Sequence, residues 1–469
     1  MKRRKFIYNT GKVGIGFLGL QSLVSSCDSK SPKAEWTGVL SDEVQSQGYG
    51  PLLDDPLGIL NLPKGFTYQV ISKKGDLMDD GFHVPGAADG MASFSDPSGN
   101  IILVRNHELS PGDAKNGPFG KDHSLLSKLE SNQLYDFGRG SNPCLGGTST
   151  MVYDPVQKKV VQQHLSLAGT IRNCAGGSTP WNSWISCEEN VTMADDQFEK
   201  NHGYNFEVPA SKEIKLLVPE PLKAMGRFNH EAVCVDPKSG IVYQTEDRHD
   251  SMIYRFLPNE KGQLNKGGRL QILSIQGSSG MDTRNWKVSN MEIGKQYNVV
   301  WLDIDNVEAP EDDLRKRGAA KGGAIFARGE GMWFGNNECF FACTNGGQSG
   351  DGQIFRYRLS DTEGMQSESN SPGTLELFIE PNNANLVESC DNLTIGSNGD
   401  LILCEDKTTP RIVGVTPEGK IFHVAKNVGY KSEFAGATFS PDGKTLFVNI
   451  QGPGLTLAID GPWGNRMLG

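Results

Sequence analysis

Short apolar runs recur along the chain, each opened by a turn signal and closed by polar residues. Six such segments occur: "DPSGNIILVRNHE" (96–108), "TPWNSWISCEE" (179–189), "DPKSGIVYQTED" (236–247), "NNECFFACTNGG" (336–347), "GSNGDLILCED" (396–406) and "SPDGKTLFVNIQ" (440–451). Apolar or β-branched runs bounded by Gly, Pro, Asn and Asp are typical of β-strands. A partial seventh run, "TPEGKIFHVAK" (416–426), predicts a neighbouring strand of the fifth unit.

Six irregular copies favour an all-β fold, a six-bladed β-propeller with loop insertions. Each blade of a propeller is a four-stranded sheet, and the equivalent strands of all blades line one tunnel. We therefore expect the ends of these strands to converge on one mouth. The charged stretch 308–323 predicts an insertion with a short helix. A β-sandwich with ordinary acidic turns is the alternative interpretation.

The N-terminus has the pattern of an export signal. Arg3 and Arg4 precede a short apolar stretch and resemble a twin-arginine signal, while Leu23–Cys27 resembles a bacterial lipobox. A general secretion signal is the alternative. We expect residues 1–27 to be the signal, 28–50 a tether and 51–469 a single β-propeller catalytic domain. The protein would then be periplasmic or on the cell surface, anchored to the membrane through acylated Cys27.

Composition fits this picture of an exported globular protein. The net charge is −10, and no basic block follows the N-terminus, which argues against a nucleic-acid partner. The mean hydropathy is −0.42, as in a soluble protein, and nothing indicates more than a monomer. Eight cysteines follow Cys27 without a Cys-x-x-Cys motif. We expect few disulfides and no zinc ribbon.

Acidic and amide side chains end the predicted strands at the same phase. The strand ends are His107-Glu108, Glu188-Glu189, Glu246-Asp247, Glu405-Asp406, Thr344-Asn345 and Asn449–Gln451, and His230-Glu231 and Asp391-Asn392 occur nearby. One such pair is usually a solvated turn. Several carboxylates at one mouth without counter-charge would repel one another strongly. Bound cations resolve this, and oxygen ligands favour Ca²⁺, Mg²⁺ or Mn²⁺.

Two further features bear on chemistry. Cys174 lies in the Gly-rich segment "RNCAGGSTPW" and is either a thiolate ligand suited to iron or zinc, or a small buried residue. Arg328 and Glu330 lie in "FARGEGMWFG". An arginine beside a metal-rich mouth could clamp an anionic substrate through two parallel hydrogen bonds. A salt-bridged surface arginine is the alternative.

Long segments of the chain resemble the PhoX-type secreted alkaline phosphatases. They are "NHE" (106–108), "GGTSTMVYDP" (146–155), "NCAGGSTPWNSWISCEE" (173–189), "GRFNHEAVCVDPKSGIVYQTED" (226–247), "DNLTIGSNGDLILCED" (391–406) and "EFAGATFSPDGKTLFVNIQGPGLTLAIDGPW" (433–463). The resemblance implies a six-bladed propeller with an iron–calcium cluster at one end of its tunnel. It also implies hydrolysis of phosphate monoesters.

The resemblance assigns roles to individual residues. It implies the metal ligands Cys174, Glu108, Glu188, Glu189, Glu231, Glu246, Asp247, Asp391, Glu405 and Asp406. It implies that Arg328 and Glu330 are the catalytic residues, on the substrate side, with Fe³⁺ and Ca²⁺ as cofactors. Two alternative functions stay open: a calcium-dependent propeller lactonase or phosphotriesterase, and a non-catalytic calcium-stabilised binding lipoprotein.

Overall fold

The protein is built almost entirely of short strands. The computed structural model describes residues 48–466. The strands are β1 (Leu52–Leu53), β2 (Leu60–Pro63), β3 (Thr67–Lys73), β4 (Ala88–Ser95), β5 (Ile101–His107), β6 (Gly146–Asp154), β7 (Lys159–Thr170), β8 (Asn173–Ser178), β9 (Ser183–Glu188), β10 (Asn205–Pro209), β11 (His230–Val235), β12 (Val242–Glu246), β13 (Tyr254–Pro258), β14 (Gly268–Ile275), β15 (Gln296–Asp303), β16 (Gly329–Gly335), β17 (Glu338–Cys343), β18 (Gln353–Arg358), β19 (Thr374–Ile379), β20 (Cys390–Ile395), β21 (Leu401–Glu405), β22 (Arg411–Val415), β23 (Ile421–Asn427), β24 (Phe434–Phe439), β25 (Thr445–Ile450) and β26 (Leu455–Asp460).

Helical structure is sparse in residues 48–466. The α-helix α1 spans Leu314–Ala320, inside the charged stretch for which the sequence predicts a short helix. The 3₁₀ helices are Ala114–Asn116, Ser124–Lys128, Gly138–Gly140, Lys223–Met225, Leu264–Lys266 and Gln366–Asn370. Over this part of the chain no helix has the length and apolar character that crossing a bilayer would require.

The strands form antiparallel sheets arranged like propeller blades. Two sheets have four strands, in the orders β4-β5-β6-β7 and β24-β25-β26-β3. The others are β10-β9-β8, the six-stranded β1-β2-β23-β22-β21-β20 and a nine-stranded sheet that runs from β11 through β15 to β16. The all-β, propeller-like fold that the repeated pattern predicts is confirmed.

Terminal strands of the five sheets form a central ring of six, because the nine-stranded sheet supplies both of its terminal strands, β11 and β16. These strands contact one another in the order β4, β8, β11, β16, β20, β24 and back to β4. The six strands of the repeated sequence pattern are β5, β9, β12, β17, β21 and β25, each hydrogen-bonded to a ring strand. The expectation that the repeated strands themselves line the tunnel is therefore wrong. The strands that line it are the neighbours to which the repeated strands are hydrogen-bonded. The turn signal of each repeat is the hairpin that leads outward from the ring.

The two ends of the chain close the ring together. Strand β3 pairs with β26, the last strand, and β2 pairs with β23. The packed body begins before residue 51, because Tyr49 is buried and its ring packs edge-on against Phe66, Phe422 and Trp463. The predicted signal at residues 1–27, including Cys27, lies outside the described residues.

All six ring strands share one irregularity near their first residue. In each, the first residue pairs with the last residue of the neighbouring strand. The regular register is then interrupted and resumes three residues later in five of these strands, whereas in β24 Ala435 also pairs and the register resumes at Thr438. The interruptions follow Ala88, Asn173, His230, Gly329, Cys390 and Ala435. Such bulges bend a strand and redirect its side chains. Here they redirect the second residue of each ring strand.

Small residues follow these redirected positions and narrow the tunnel. They are Gly90, Ala175, Ala232, Gly331, Asn392 and Gly436, and they line a cavity of about 20 Å³. The glycines are needed because the strands approach closely: a Cβ atom on Gly331 would lie 2.6 Å from the Cα atom of Asn392. The tunnel is thus almost filled just below the mouth.

This crowding predicts a position-specific loss of stability on β16. We expect Gly331→Ala to lower the free energy of unfolding by about 2–3 kcal/mol, because the new methyl group overpacks the ring. Gly329→Ala is the matched control, since its Cβ atom would lie 3.2 Å from the nearest atoms. It should cost under about 1 kcal/mol on the same scale. Urea denaturation of both variants measures the difference, and equal losses would contradict the packing of the ring.

Candidate metal centre at the tunnel mouth

Antiparallel pairing brings the starts of the ring strands and the ends of their partner strands to the same mouth. The start of each ring strand lies beside the end of its partner strand. The second residues of the ring strands are Asp89, Cys174, Glu231, Glu330, Asp391 and Ala435. The residues just after the partner strands are Glu108, Glu189, Asp247, Thr344, Asp406 and Gln451. The mouth is therefore surrounded by two sets of side chains at matching positions.

Candidate metal ligands converge at the centre of the mouth. The Sγ atom of Cys174 and carboxylate oxygens of Glu189 and Glu231 all lie within 4.8 Å of one another. Oxygens of Glu231, Glu330 and Asp391 form a second group with the same spacing. Glu231 belongs to both groups because β11 lies between β8 and β16 in the ring. A thiol-containing group and an all-oxygen group thus share one carboxylate.

Further carboxylates surround these groups. Gln451 Nε2 donates to Asp89 at 2.8 Å and to Glu108 at 2.9 Å, which connects these two acids across the closure of the ring. On the next side, Asp406 hydrogen-bonds with Glu433, and Asp391 also feels the charge of Asp406. Acidic side chains thus follow one another around the mouth.

Burial and mutual repulsion raise the pKa values of these acids. Burial and the charge of Asp406 raise the pKa of Asp391 to about 8 and that of Glu433 to about 12. Burial, followed by Asp391 and Glu189, raises the pKa of Glu231 well above its usual range. Burial and nearby Glu231 likewise raise the pKa of the Cys174 thiol. Without added positive charge, the mouth favours protonated acids and a protonated thiol.

Two arginines supply positive charge at the mouth. Arg328 donates from Nε and Nη2 to Asp247 at 2.7 and 2.8 Å, and Nη2 also lies 2.9 Å from Glu330. Arg172 donates from the same two groups to a single oxygen of Glu108, and its Nη2 group also pairs with Glu189. Burial opposes both positive charges, but the neighbouring carboxylates outweigh it and raise the pKa of each guanidinium. Both arginines therefore stay charged.

Three predicted ligands face away from this centre. Glu188, Glu246 and Glu405 are the last residues of β9, β12 and β21, one residue before Glu189, Asp247 and Asp406. Successive side chains of a strand point to opposite sides. The structure therefore does not bring Glu188, Glu246 and Glu405 to the cluster, whereas it brings there the other predicted ligands: Cys174, Glu108, Glu189, Glu231, Asp247, Asp391 and Asp406.

The outward-facing acids have structural partners instead. Glu188 binds His202 Nδ1 at 2.7 Å and accepts the backbone N–H of Gly203 at 2.8 Å. Glu405 accepts from Arg411 Nε at 2.8 Å. Glu246 accepts the hydroxyl of Tyr254 at 2.9 Å, and burial raises the pKa of its carboxyl to about 7. These contacts anchor the strand ends that present the next residue to the mouth.

Sequence analysis missed three members of the mouth: Asp89, Glu433 and Arg172. Asp89 had a usable signal, because it precedes a glycine as Glu330 does and occupies the same second position of a ring strand. Arg172 likewise occupies the position of Arg328, directly before a ring strand. Glu433 precedes β24 at that same position. The signal is visible only once the ring strands are aligned by their bulges.

The residues present fit a cluster of cations. The mouth gathers nine carboxylates, those of Asp89, Glu108, Glu189, Glu231, Asp247, Glu330, Asp391, Asp406 and Glu433. Two guanidinium groups face them among residues 48–466. Oxygen donors suit hard cations such as Ca²⁺, and the sulfur donor suits a transition metal. Both donor types occur in the two shared groups at the centre.

Fold and mouth together define a propeller-like all-β protein with a candidate multi-metal site. A chain from Pseudomonas fluorescens, PhoX in complex with vanadate, a transition state analogue, is similar over 89% of this chain and 98% of that one, with 18% identity and a TM-score of 0.64. A gluconolactonase from Xanthomonas campestris aligns over 88% of this chain and 98% of that one, with 12% identity and a TM-score of 0.40.

The family model for alkaline phosphatase PhoX matches residues 47–153 and 144–454. The chain belongs to that family, so the resemblance noted in its sequence is confirmed and the protein is a phosphatase. No significant match is found among curated proteins.

The alternation at the strand ends predicts opposite effects for neighbouring residues. Glu188→Gln breaks a buried ion pair with His202 and should lower the free energy of unfolding by about 3–5 kcal/mol. Glu189→Gln removes one acid from the repelling cluster, and Arg172 keeps its two bonds to Glu108. The metal-free variant should therefore be at least as stable as the parent, while bound metal per chain should fall. Urea denaturation and elemental analysis measure both effects. A stability loss of similar size in the two variants would contradict these assignments.

The raised acid pKa values predict the pH dependence of the metal-free protein. A folded-state pKa above the unfolded value contributes stability below the unfolded pKa, and this contribution is lost as pH rises through the folded pKa. For Asp391 that range extends from ordinary carboxyl values to about 8. We expect chelator-treated protein to be less stable at about pH 9 than at about pH 6. Asp391→Asn should reduce this difference. A chelator-treated parent whose stability stays constant or rises between these two pH values would contradict the prediction.

Proposed function

We propose that the protein hydrolyses phosphate monoesters with a cluster of Fe³⁺ and Ca²⁺ at the tunnel mouth of a six-bladed propeller. The observation that carries the proposal is the presence of a thiol-containing ligand group and the clamped Arg328 at one mouth. In this view the nine-stranded sheet is two blades joined through β15. The donor chemistry supports iron beside Cys174 and calcium among the carboxylates.

The ligands divide between the two metals by chemistry. Cys174, Glu189 and Glu231 would hold iron, because a thiolate binds transition metals whereas calcium takes oxygen ligands. Glu231, Glu330 and Asp391 would hold calcium, together with the surrounding carboxylates. When bound, these cations supply Lewis-acid stabilisation of the charge on the phosphoryl oxygens during hydrolysis.

The chain's own residues orient the substrate. Asp247 and Glu330 fix the guanidinium of Arg328 by binding its Nε and Nη2 groups. The Nη1 group is then the part of Arg328 that can donate to a non-bridging phosphoryl oxygen. Below the mouth, the ring of small residues narrows the tunnel, so substrate reaches the site from the mouth side. Arg328 is the proposed catalytic residue, and Glu330 both orients it and serves the metal group.

The proposal extends to the location of the protein. We infer that residues 1–27 direct export, that acylated Cys27 anchors the chain, and that a tether beginning at residue 28 leads to the catalytic domain, whose packing already includes Tyr49. The protein would act as a monomer in the periplasm or on the cell surface. The Arg3-Arg4 pair and the Leu23–Cys27 segment support this view.

Turnover and metal content test the proposal together. Protein purified with its native metals should cleave p-nitrophenyl phosphate, and elemental analysis should detect both iron and calcium. Chelation should abolish turnover, and readdition of both metals should restore it. Bound iron without phosphatase turnover would refute the function. An iron-free protein that contains only calcium and opens lactones would support the alternative lactonase.

Substitution of the thiol tests the iron assignment. We expect Cys174→Ala to lose iron and at least about 100-fold of the phosphatase turnover, because a metal that stabilises transition-state charge supplies several kcal/mol. Cys339→Ala is the matched control, since Cys339 is a buried thiol of the apolar core. The control should retain both iron and turnover. Iron and activity retained in Cys174→Ala would exclude the thiol as a ligand.

A further inference from the structure

Arg172 and Arg328 occupy the same position in two different blades. Arg172 directly precedes β8, and Arg328 directly precedes β16. Both residues have a φ of 51°, in the left-handed region that arginine rarely adopts. The bulge of the ring strand begins at the next residue in both cases. The two arginines thus leave the backbone in the same local conformation, at the same height of the tunnel mouth.

The two guanidinium groups also use the same donors. In both, Nε and Nη2 are bound to carboxylates: Glu108 and Glu189 for Arg172, and Asp247 and Glu330 for Arg328. Within residues 48–466, neither Nη1 group has a hydrogen-bond partner. The side chains are 35% and 33% exposed. Each half-buried arginine is therefore held along its Nε–Nη2 edge, and its Nη1 group remains available as a donor.

The positions flank the candidate metal groups symmetrically. Arg172 binds Glu189 of the thiol-containing group, and Arg328 binds Glu330 of the all-oxygen group. Glu231, which both groups share, lies on the strand between β8 and β16. An anion bound above Glu231 would therefore have an arginine on each side.

The equivalent position in the other blades carries no cation. It is occupied by Ala87, Asn229, Ser389 and Glu433. Positive charge at this height thus comes from two of six equivalent positions, and these two adjoin the two central ligand groups. If the two arginines served only to neutralise the nine acids, there would be no reason for the Nη1 group to be without a partner in both of them.

We propose that Arg172 is a second substrate-binding residue, which donates through Nη1 to the phosphoryl group from the side opposite Arg328. The inference rests on the proposed phosphatase site and adds to it a two-arginine clamp. Two guanidinium groups on opposite sides fix the orientation of a tetrahedral dianion better than one. The clamp favours monoesters, because a terminal phosphoryl group offers three non-bridging oxygens whereas a diester offers two.

Phosphate affinity and steady-state kinetics test the clamp together. The metal-loaded parent, Arg172→Ala, Arg172→Lys and Arg328→Ala are compared by calorimetric titration with inorganic phosphate and by turnover of p-nitrophenyl phosphate. Arg269→Ala is the matched control, because Arg269 is exposed on β14 and pairs with Asp303. This variant removes one arginine charge outside the mouth, so its phosphate dissociation constant, KM and turnover should equal those of the parent.

We expect Arg172→Ala to raise the phosphate dissociation constant and the KM by about 10- to 100-fold, the effect of losing hydrogen bonds to a charged group. Iron and calcium contents should equal those of the parent. Arg172→Lys should recover part of the affinity, since it keeps the charge but not the planar fork.

Other outcomes overturn the inference. Phosphate affinity and KM within twofold of the parent would exclude a contact with substrate. Metal lost in proportion to activity would make Arg172 a counter-ion for Glu108 and Glu189 only. A metal-loaded parent that binds no phosphate would also overturn the clamp. A parent that binds phosphate through Arg172 but turns over no ester would instead refute the proposed function and leave the clamp supported.

Discussion

Mutual repulsion among nine carboxylates at one tunnel mouth is the constraint on which the rest of the structure depends. Burial strengthens this repulsion, because charges separated by protein interact more strongly than charges separated by water. The raised pKa values of Asp391, Glu231 and Glu433 reflect the same cost. The surrounding sheets must therefore hold the acids in place, and bound cations must compensate for their charge. In this arrangement, ligand affinity and folding stability oppose each other.

The fold meets this constraint by separating anchoring residues from ligands. At each of three strand ends, one acid turns outward to a structural partner and the next acid turns to the mouth. The outward residue fixes the end of the strand, so the inward residue needs no flexible loop to reach the centre. The bulge in every ring strand does the same for Cys174, Glu231 and Asp391. Rigid supports of this kind preorganise a metal site.

The sequence predicted the outer parts of this architecture better than its centre. The partner strands were visible because a turn signal and an apolar run mark each of them, and acidic pairs mark their ends. The ring strands were not visible, because segments such as "NCAGGS" and "GEGMWFG" are short, glycine-rich and without an alternating pattern. The same gap hid Asp89 and Arg172. Applying strand alternation to the Glu188-Glu189 pair would have separated the ligand from the anchor.

Closure of the ring by β3 and β26 has a consequence for how the protein acquires its metals. The first and last blades meet only after the C-terminal strand has paired with one near the N-terminus. Gln451, which joins Asp89 to Glu108, reaches the mouth only in that closed state. Without this pairing Gln451 does not connect Asp89 to Glu108, and the carboxylates on this side of the mouth lose their link. Formation of the β3–β26 pair and assembly of this side of the candidate metal site are thus coupled.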